Sequence, residues 1–77
     1  MTVKRSVVLN GHKTSVSIEE PFWRALAAQA QTDGRSLNDV IAEIDAVRGT
    51  SNLSSAIRLH VLHGLQRTIE AMQARDR

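Results

Sequence analysis

The sequence predicts a small, mostly α-helical domain in which one short strand precedes three helices. Small polar and apolar side chains alternate over residues 13–19, with the period of two that is typical of a strand. From residue 20 onward, apolar residues recur every three or four positions, as they do in amphipathic helices. A chain of 77 residues is one domain with a thin core, so we expect burial to be shared between copies.

The composition excludes several classes of protein. The chain has no cysteine, which removes disulfides and thiolate metal sites and fits a reducing compartment. No apolar run has the length of a membrane span or signal peptide, so we expect a cytoplasmic protein with no membrane partner. The net charge of +2 is small, but the chain before Glu19 carries basic residues and no acid. A basic segment of this kind is suited to binding a polyanion. The alternative interpretation is an ordinary surface of mixed charge.

The predicted strand, residues 13–19, has two unlike faces. Its apolar face carries Val16 and Ile18, and its polar face carries Lys13, Ser15 and Ser17. A lone strand lacks partners for its backbone groups, and the sequence after it is helical. We therefore expect one strand per chain, paired antiparallel with the same strand of a second copy in an obligate homodimer.

Residues 1–12 allow two interpretations. Asn10-Gly11 is the preferred pair for a two-residue hairpin turn, which would place residues 6–9 against residues 12–15. Alternatively, the segment is a basic arm that becomes ordered only on a partner. No internal repeat is apparent in the chain.

Local signals place the three helices at about 20–33, 36–48 and 52–73. Pro21 lies in the first turn of the first helix, where its missing N–H is not needed, and Gly34 suits the left-handed position after its end. Ser36 is the predicted cap of the second helix, and Ser51 or Asn52 that of the third. The chain thus divides into an arm or hairpin strand (1–12), a core (13–48) and an additional C-terminal helix (49–77).

Two segments carry a family resemblance. Residues 14–18 lead directly into a helix, and residues 33–41 contain a Gly-Arg-Ser turn that starts a second helix. This combination resembles the ribbon-helix-helix family of DNA-binding proteins, the methionine-repressor and Arc type. Together with residues 4–7, 11–17, 22–23 and 52–58, the pattern is similar to a largely uncharacterised bacterial subfamily with a third helix.

The resemblance implies a homodimer or higher homo-oligomer that binds double-stranded DNA and regulates transcription, associated with the nucleoid when bound. Its paired strands would enter the major groove, with Lys13, Ser15 and Ser17 contacting the bases. The expected phosphate contacts are Lys4, Arg5, Arg35, Ser36, Leu37 and Asn38. The expected dimer core is Val16, Ile18, Trp23, Leu26, Val40, Ile41 and Ile44.

Several alternatives stay open at this point. Residues 49–58 also read as a glycine turn that starts a family-type second helix, in which case Ser51 and Asn52 would bind the phosphate. The protein could be the antitoxin of a toxin–antitoxin pair, or an assembly module that contacts a protein partner through its third helix and does not read DNA. We expect no enzyme, cofactor or metal, because no nucleophile has a base placed by spacing and His60 and His63 alone make a poor metal site.

Overall fold

The computed structural model describes residues 1–75, which form a two-stranded antiparallel sheet followed by three helices. The strands are β1 (Thr2–Leu9) and β2 (His12–Glu19), and the helices are α1 (Glu20–Thr32), α2 (Leu37–Val47) and α3 (Leu53–Arg75). The predicted mostly α ribbon-helix-helix fold is confirmed, and the three predicted helices are all present. The last two residues of the predicted C-terminal segment, 76 and 77, lie outside the described residues.

The ribbon forms within one chain, which corrects the prediction of one strand per chain paired across a homodimer. β1 pairs with β2 along its whole length, from Thr2 opposite Glu19 to Leu9 opposite His12. Asn10 and Gly11 have φ values of 53° and 78°, the two positive angles that a tight hairpin turn of this kind requires. Because the two strands are joined by only two residues, pairing them costs little loop-closure entropy.

The helix boundaries follow the predicted capping signals. Gly34 has a φ of 66° just after α1, a backbone conformation that favours glycine. The Ser36 hydroxyl accepts a hydrogen bond from the Asp39 N–H at 3.0 Å and so caps α2. The Asn52 side chain accepts one from the Ser55 N–H at 2.8 Å, at the start of α3. Each helix therefore begins and ends where its local sequence directs.

A single apolar core joins the hairpin to all three helices. Six of the residues expected in a dimer core are buried within this one chain: Val16, Ile18, Leu26, Val40, Ile41 and Ile44. The seventh, Trp23, is half-buried at the edge of the core. Val7 of β1 and Ile57 and Val61 of α3 complete the cluster, together with Ala30. The N-terminal strand and the third helix are thus parts of the same packed unit as the central segment.

The C-terminal half of α3 carries an uncovered apolar stripe. Its members are spaced three, four and three residues apart, which places them on one side of the helix. They are Leu62, Leu65, Ile69 and Met72, each 46 to 59% exposed. Within residues 1–75, no helix combines the length and the apolar character needed to cross a membrane.

Ile41 and Val47 provide a matched test of the core, because both lie on α2 but only Ile41 is fully buried. Ile41→Val removes one methyl group and should lower the free energy of unfolding by about 0.5–1.5 kcal/mol. Val47→Ala, at a side chain that is 79% exposed, should change it by less than about 0.5 kcal/mol. Urea denaturation followed by circular dichroism measures both, and equal losses would contradict this core.

Candidate nucleic-acid interface

The side of the hairpin that faces away from the helices is polar and exposed. We call it the ribbon face. It pairs Lys4 with Ser17, Ser6 with Ser15 and Val8 with Lys13 across the two strands, and all six side chains are exposed. The two lysines lie at diagonally opposite positions. Glu19, at the margin of this face, is bound to Arg58 through hydrogen bonds of 2.8 and 3.1 Å. The face is therefore a basic and hydroxyl-rich surface whose nearest acid is already neutralised.

The start of α2 is fixed against the outer edge of β1. The Asn38 side-chain amide donates to the Val8 carbonyl at 2.7 Å and accepts from the Val8 N–H at 3.1 Å. A side-chain amide that bonds to both backbone groups of one residue replaces a neighbouring strand at that point. The N-terminus of α2 consequently lies beside the ribbon face, near the hairpin turn.

The start of α3 is fixed against the outer edge of β2, toward the other end of the hairpin. The Ser54 hydroxyl donates to the Ser17 carbonyl at 2.7 Å. Asn52 caps the same helix two residues earlier. One helix N-terminus therefore flanks each edge of the ribbon.

The residues expected to bind phosphate differ from one another in their surroundings in the structure. Ser36 is occupied as the cap of α2, and the Asn38 side chain holds β1, which leaves the backbone of this turn as the donor. Arg35 forms an ion pair with Glu43 at 2.5 Å on the surface. Lys4 lies on the ribbon face itself, opposite Ser17, and so shares the surface of the expected base contacts Lys13 and Ser15.

The expectation for Arg5 is corrected, because its side chain is engaged inside the fold. Its cross-strand neighbour Val16 is buried, so Arg5 lies on the inner face of the hairpin. Its guanidinium pairs with Glu20 at 2.5 Å and stacks over the Trp23 ring, 5.2 Å from the ring centroid. Arg5 therefore joins β1 to α1 on the face of the hairpin opposite the ribbon face.

A second arginine clasp joins α3 to the start of α1. Arg58 pairs with Glu19 and lies 6.0 Å from the centroid of the Phe22 ring. The hydrogen bond from Arg58 lowers the pKa of Glu19, and that from Arg5 lowers the pKa of Glu20. These two clasps were not predicted from the sequence, since their partners are 15 and 39 residues apart.

The two histidines of α3 line an apolar pocket with Val47 and Leu59. Burial lowers the pKa of His60, which favours its neutral form. Among the residues that the structure describes, no group of three or more histidine, aspartate or glutamate side chains is arranged to hold a metal ion.

A short sequence similarity between the two strands is the signal that locates the ribbon face. Residues 4–9 read Lys-Arg-Ser-Val-Val-Leu, and residues 13–18 read Lys-Thr-Ser-Val-Ser-Ile. Three of the six aligned positions are identical: lysine, serine and the first valine. With this alignment, Lys4 and Ser6 occupy the same positions in β1 that Lys13 and Ser15 occupy in β2.

The match to known proteins comes from a family model. A model described as "Ribbon-helix-helix domain" matches residues 2–65. The chain belongs to the ribbon-helix-helix family. This family is a DNA-binding fold, and its members generally bind DNA as dimers. The family match begins with β1 and extends into α3, so it includes both strands of the hairpin. No curated protein and no solved structure matches the chain.

The arginine clasps should make the fold sensitive to acid. The folded-state pKa values of Glu19 and Glu20 are lowered, so their stabilisation is complete above the ordinary glutamate pKa of about 4.3 and is lost as the pH falls through the lower folded-state values. Arg58→Met keeps an apolar stem over Phe22 and removes the charge. We expect this variant to lose less stability than the parent between pH 5 and pH 3, measured as urea midpoints. Arg67→Met on the same helix is the control, and it should follow the parent curve.

Proposed function

We propose that this protein binds double-stranded DNA through its ribbon face and acts as a transcriptional regulator. The observation that carries the proposal is the ribbon face, a two-stranded surface with two lysines and three serines beside two helix N-termini. Membership of a DNA-binding fold family supports it. Transcriptional regulation is the role that a non-enzymatic DNA-binding domain of this size most directly serves.

The dimensions and chemistry of the ribbon fit the major groove. That groove is about 12 Å wide in B-DNA and admits a two-stranded ribbon. Lys13 and Lys4 are suited to the O6 and N7 acceptors of guanine, and the serine hydroxyls both donate and accept. Since hydroxyls discriminate weakly between bases, we expect binding to be semi-specific, with much of the affinity supplied by phosphates.

The start of α2 supplies the proposed phosphate contact. The first N–H groups of a helix have no partner within it, and the helix dipole favours an anion there. In this protein those groups belong to Leu37 and Asn38, whose position beside β1 is set by the Asn38–Val8 hydrogen bonds. Arg35 is adjacent, and its exposed ion pair with Glu43 is of a kind worth only about 0–1 kcal/mol. A phosphate can therefore compete for this arginine.

Removal of Lys13 tests DNA binding directly. Fluorescence anisotropy with a labelled random duplex at low salt should show binding by the parent protein and several-fold weaker binding by Lys13→Ala. If Lys13 contacts a phosphate instead of a base, its removal should also make the salt dependence shallower. The decline of log affinity with log salt concentration should then lessen by about 0.9. Arg67→Ala is the control, because it removes the same charge on the distal part of α3. An absence of binding by the parent protein would contradict the proposal.

The apolar stripe on α3 favours a second role, assembly of copies of the chain. Leu62 and Ile69 are seven residues apart, as are Leu65 and Met72, which is the spacing of a coiled-coil seam. Of the residues that flank the seam, Gln66, Thr68 and Gln73 are uncharged, and Arg75 lies at its C-terminal end. We propose that the homo-oligomer forms through this seam, whereas in the antitoxin alternative a toxin would cover the same stripe.

A charge placed in the seam should dissociate the assembly. Multi-angle light scattering should give about twice the mass of one chain for the parent protein and the mass of one chain for Ile69→Lys. Gln66→Lys, which introduces the same charge beside the seam, should remain a dimer or shift only slightly. A parent protein that is a single chain at all concentrations would exclude self-association through α3.

A further inference from the structure

We infer that one chain alone forms a complete DNA-reading ribbon with approximate two-fold symmetry, and that its target is a short DNA site with two unlike halves. The inference rests on the proposed function and deepens it, because it names the reading unit and the form of the site. In a symmetric dimer, by contrast, two identical strands read two identical half-sites.

The register of the hairpin relates its two strands by an approximate two-fold axis. Ser6 lies opposite Ser15, and an axis between them relates residues 4–9 of β1 to residues 13–18 of β2. Rotation by 180° about this axis exchanges the two lysines of the ribbon face, Lys4 and Lys13. On the inner face it exchanges Val7 with Val16, both buried, which are 6 and 2% exposed. The sequence repeat and the strand pairing therefore describe the same two-fold relation.

The starts of α2 and α3 follow the same two-fold relation. Val8 and Ser17 each lie two residues after the central serines, and they are the residues held by Asn38 and Ser54. Each of these side chains lies two residues after a helix cap, Ser36 or Asn52.

The correspondence continues into the core. Ile41 lies five residues after the cap of α2, and Ile57 lies five residues after the cap of α3. Both isoleucines are 0% exposed. The start of α3 thus occupies, beside β2, the place that the start of α2 occupies beside β1. The two alternative family registers of the sequence correspond to these two related helix starts.

A helix start contacts each outer edge of the hairpin. In an antiparallel strand, alternate residues direct both backbone groups to the same side. The outward groups of β1 include those of Val8, which Asn38 occupies, and those of β2 include the Ser17 carbonyl, which Ser54 occupies. A copy that paired with the sheet edge at Val8 or at Ser17 would have to displace a helix start. The two strands are therefore paired with each other, and the same chain supplies the side-chain contact at one residue of each outer edge.

The two halves differ in what they offer to DNA. At equivalent positions, β1 presents the Val8 side chain and β2 presents the Ser17 hydroxyl. A valine suits the methyl group of thymine, whereas a hydroxyl suits a hydrogen-bonding base edge. The target therefore has two similar lysine contacts but different bases at its two ends.

The ribbon can be tested without DNA, because the chain has no cysteine. Ser6 and Ser15 form a pair whose backbone groups point outward, for which the Cα separation is about 4.5 Å and within disulfide range. Ser6→Cys with Ser15→Cys should form an intrachain disulfide on oxidation, seen as a loss of two hydrogens in the mass of one chain. Disulfides between chains, or thiols that stay free, would overturn the single-chain ribbon. Ser6→Cys with Gln31→Cys, where the second thiol lies in the last turn of α1, is the unpaired control.

The contribution of each half to DNA binding is tested with the lysines. Lys4→Ala and Lys13→Ala should weaken binding to a random duplex by similar factors, within about twofold of each other, and Arg67→Ala should not. In the Ile69→Lys background, native mass spectrometry should show one chain on a duplex of about one helical turn. A loss confined to Lys13→Ala, or two chains required per site, would overturn this inference while leaving DNA binding intact. No binding by the parent protein would instead reject the proposed function, and with it the DNA site inferred here.

Discussion

The backbone edges of a two-stranded ribbon are the constraint on which this structure depends. Each edge has donors and acceptors that need partners, and on each side a side chain from the first turn of a helix supplies a partner at one residue, Val8 on β1 and Ser17 on β2. Asn38 holds β1 and Ser54 holds β2. Because these contacts fix where α2 and α3 begin, they also fix which residues of the two helices reach the inner face of the hairpin.

The inner face of the hairpin determines what its outer face can do. Val7, Val16 and Ile18 are buried against the helices, so side-chain alternation leaves the lysines and serines in solvent. Arg5 and Arg58 add charged clasps at the rim of the core, each beside an aromatic ring. The buried apolar contacts and the exposed lysines and serines are thus on opposite sides of the same two strands.

The helices could be predicted from the sequence because their signals are local. Pro21, Gly34 and Ser36 act within one turn of the chain, and apolar spacing identifies the buried stripes. The partner of β2 was predicted wrongly because alternation identifies a strand but not the strand with which it pairs, whereas Asn10-Gly11 is the local signal of the hairpin. The Asn38–Val8 and Ser54–Ser17 contacts join residues 30 and 37 positions apart, beyond any local pattern. Lys4 and Arg5 look alike as neighbouring basic residues, and only the strand register places them on opposite faces.

The stacking of Arg5 on Trp23 has a spectroscopic consequence. Trp23 is the only tryptophan, and the chain has no tyrosine. Its indole ring lies beneath a guanidinium that belongs to β1. The intrinsic fluorescence of the protein therefore comes from one ring at the junction of the hairpin and α1. Release of the first strand from the helices changes the emission of that ring, so the protein contains its own optical probe of whether the ribbon is closed.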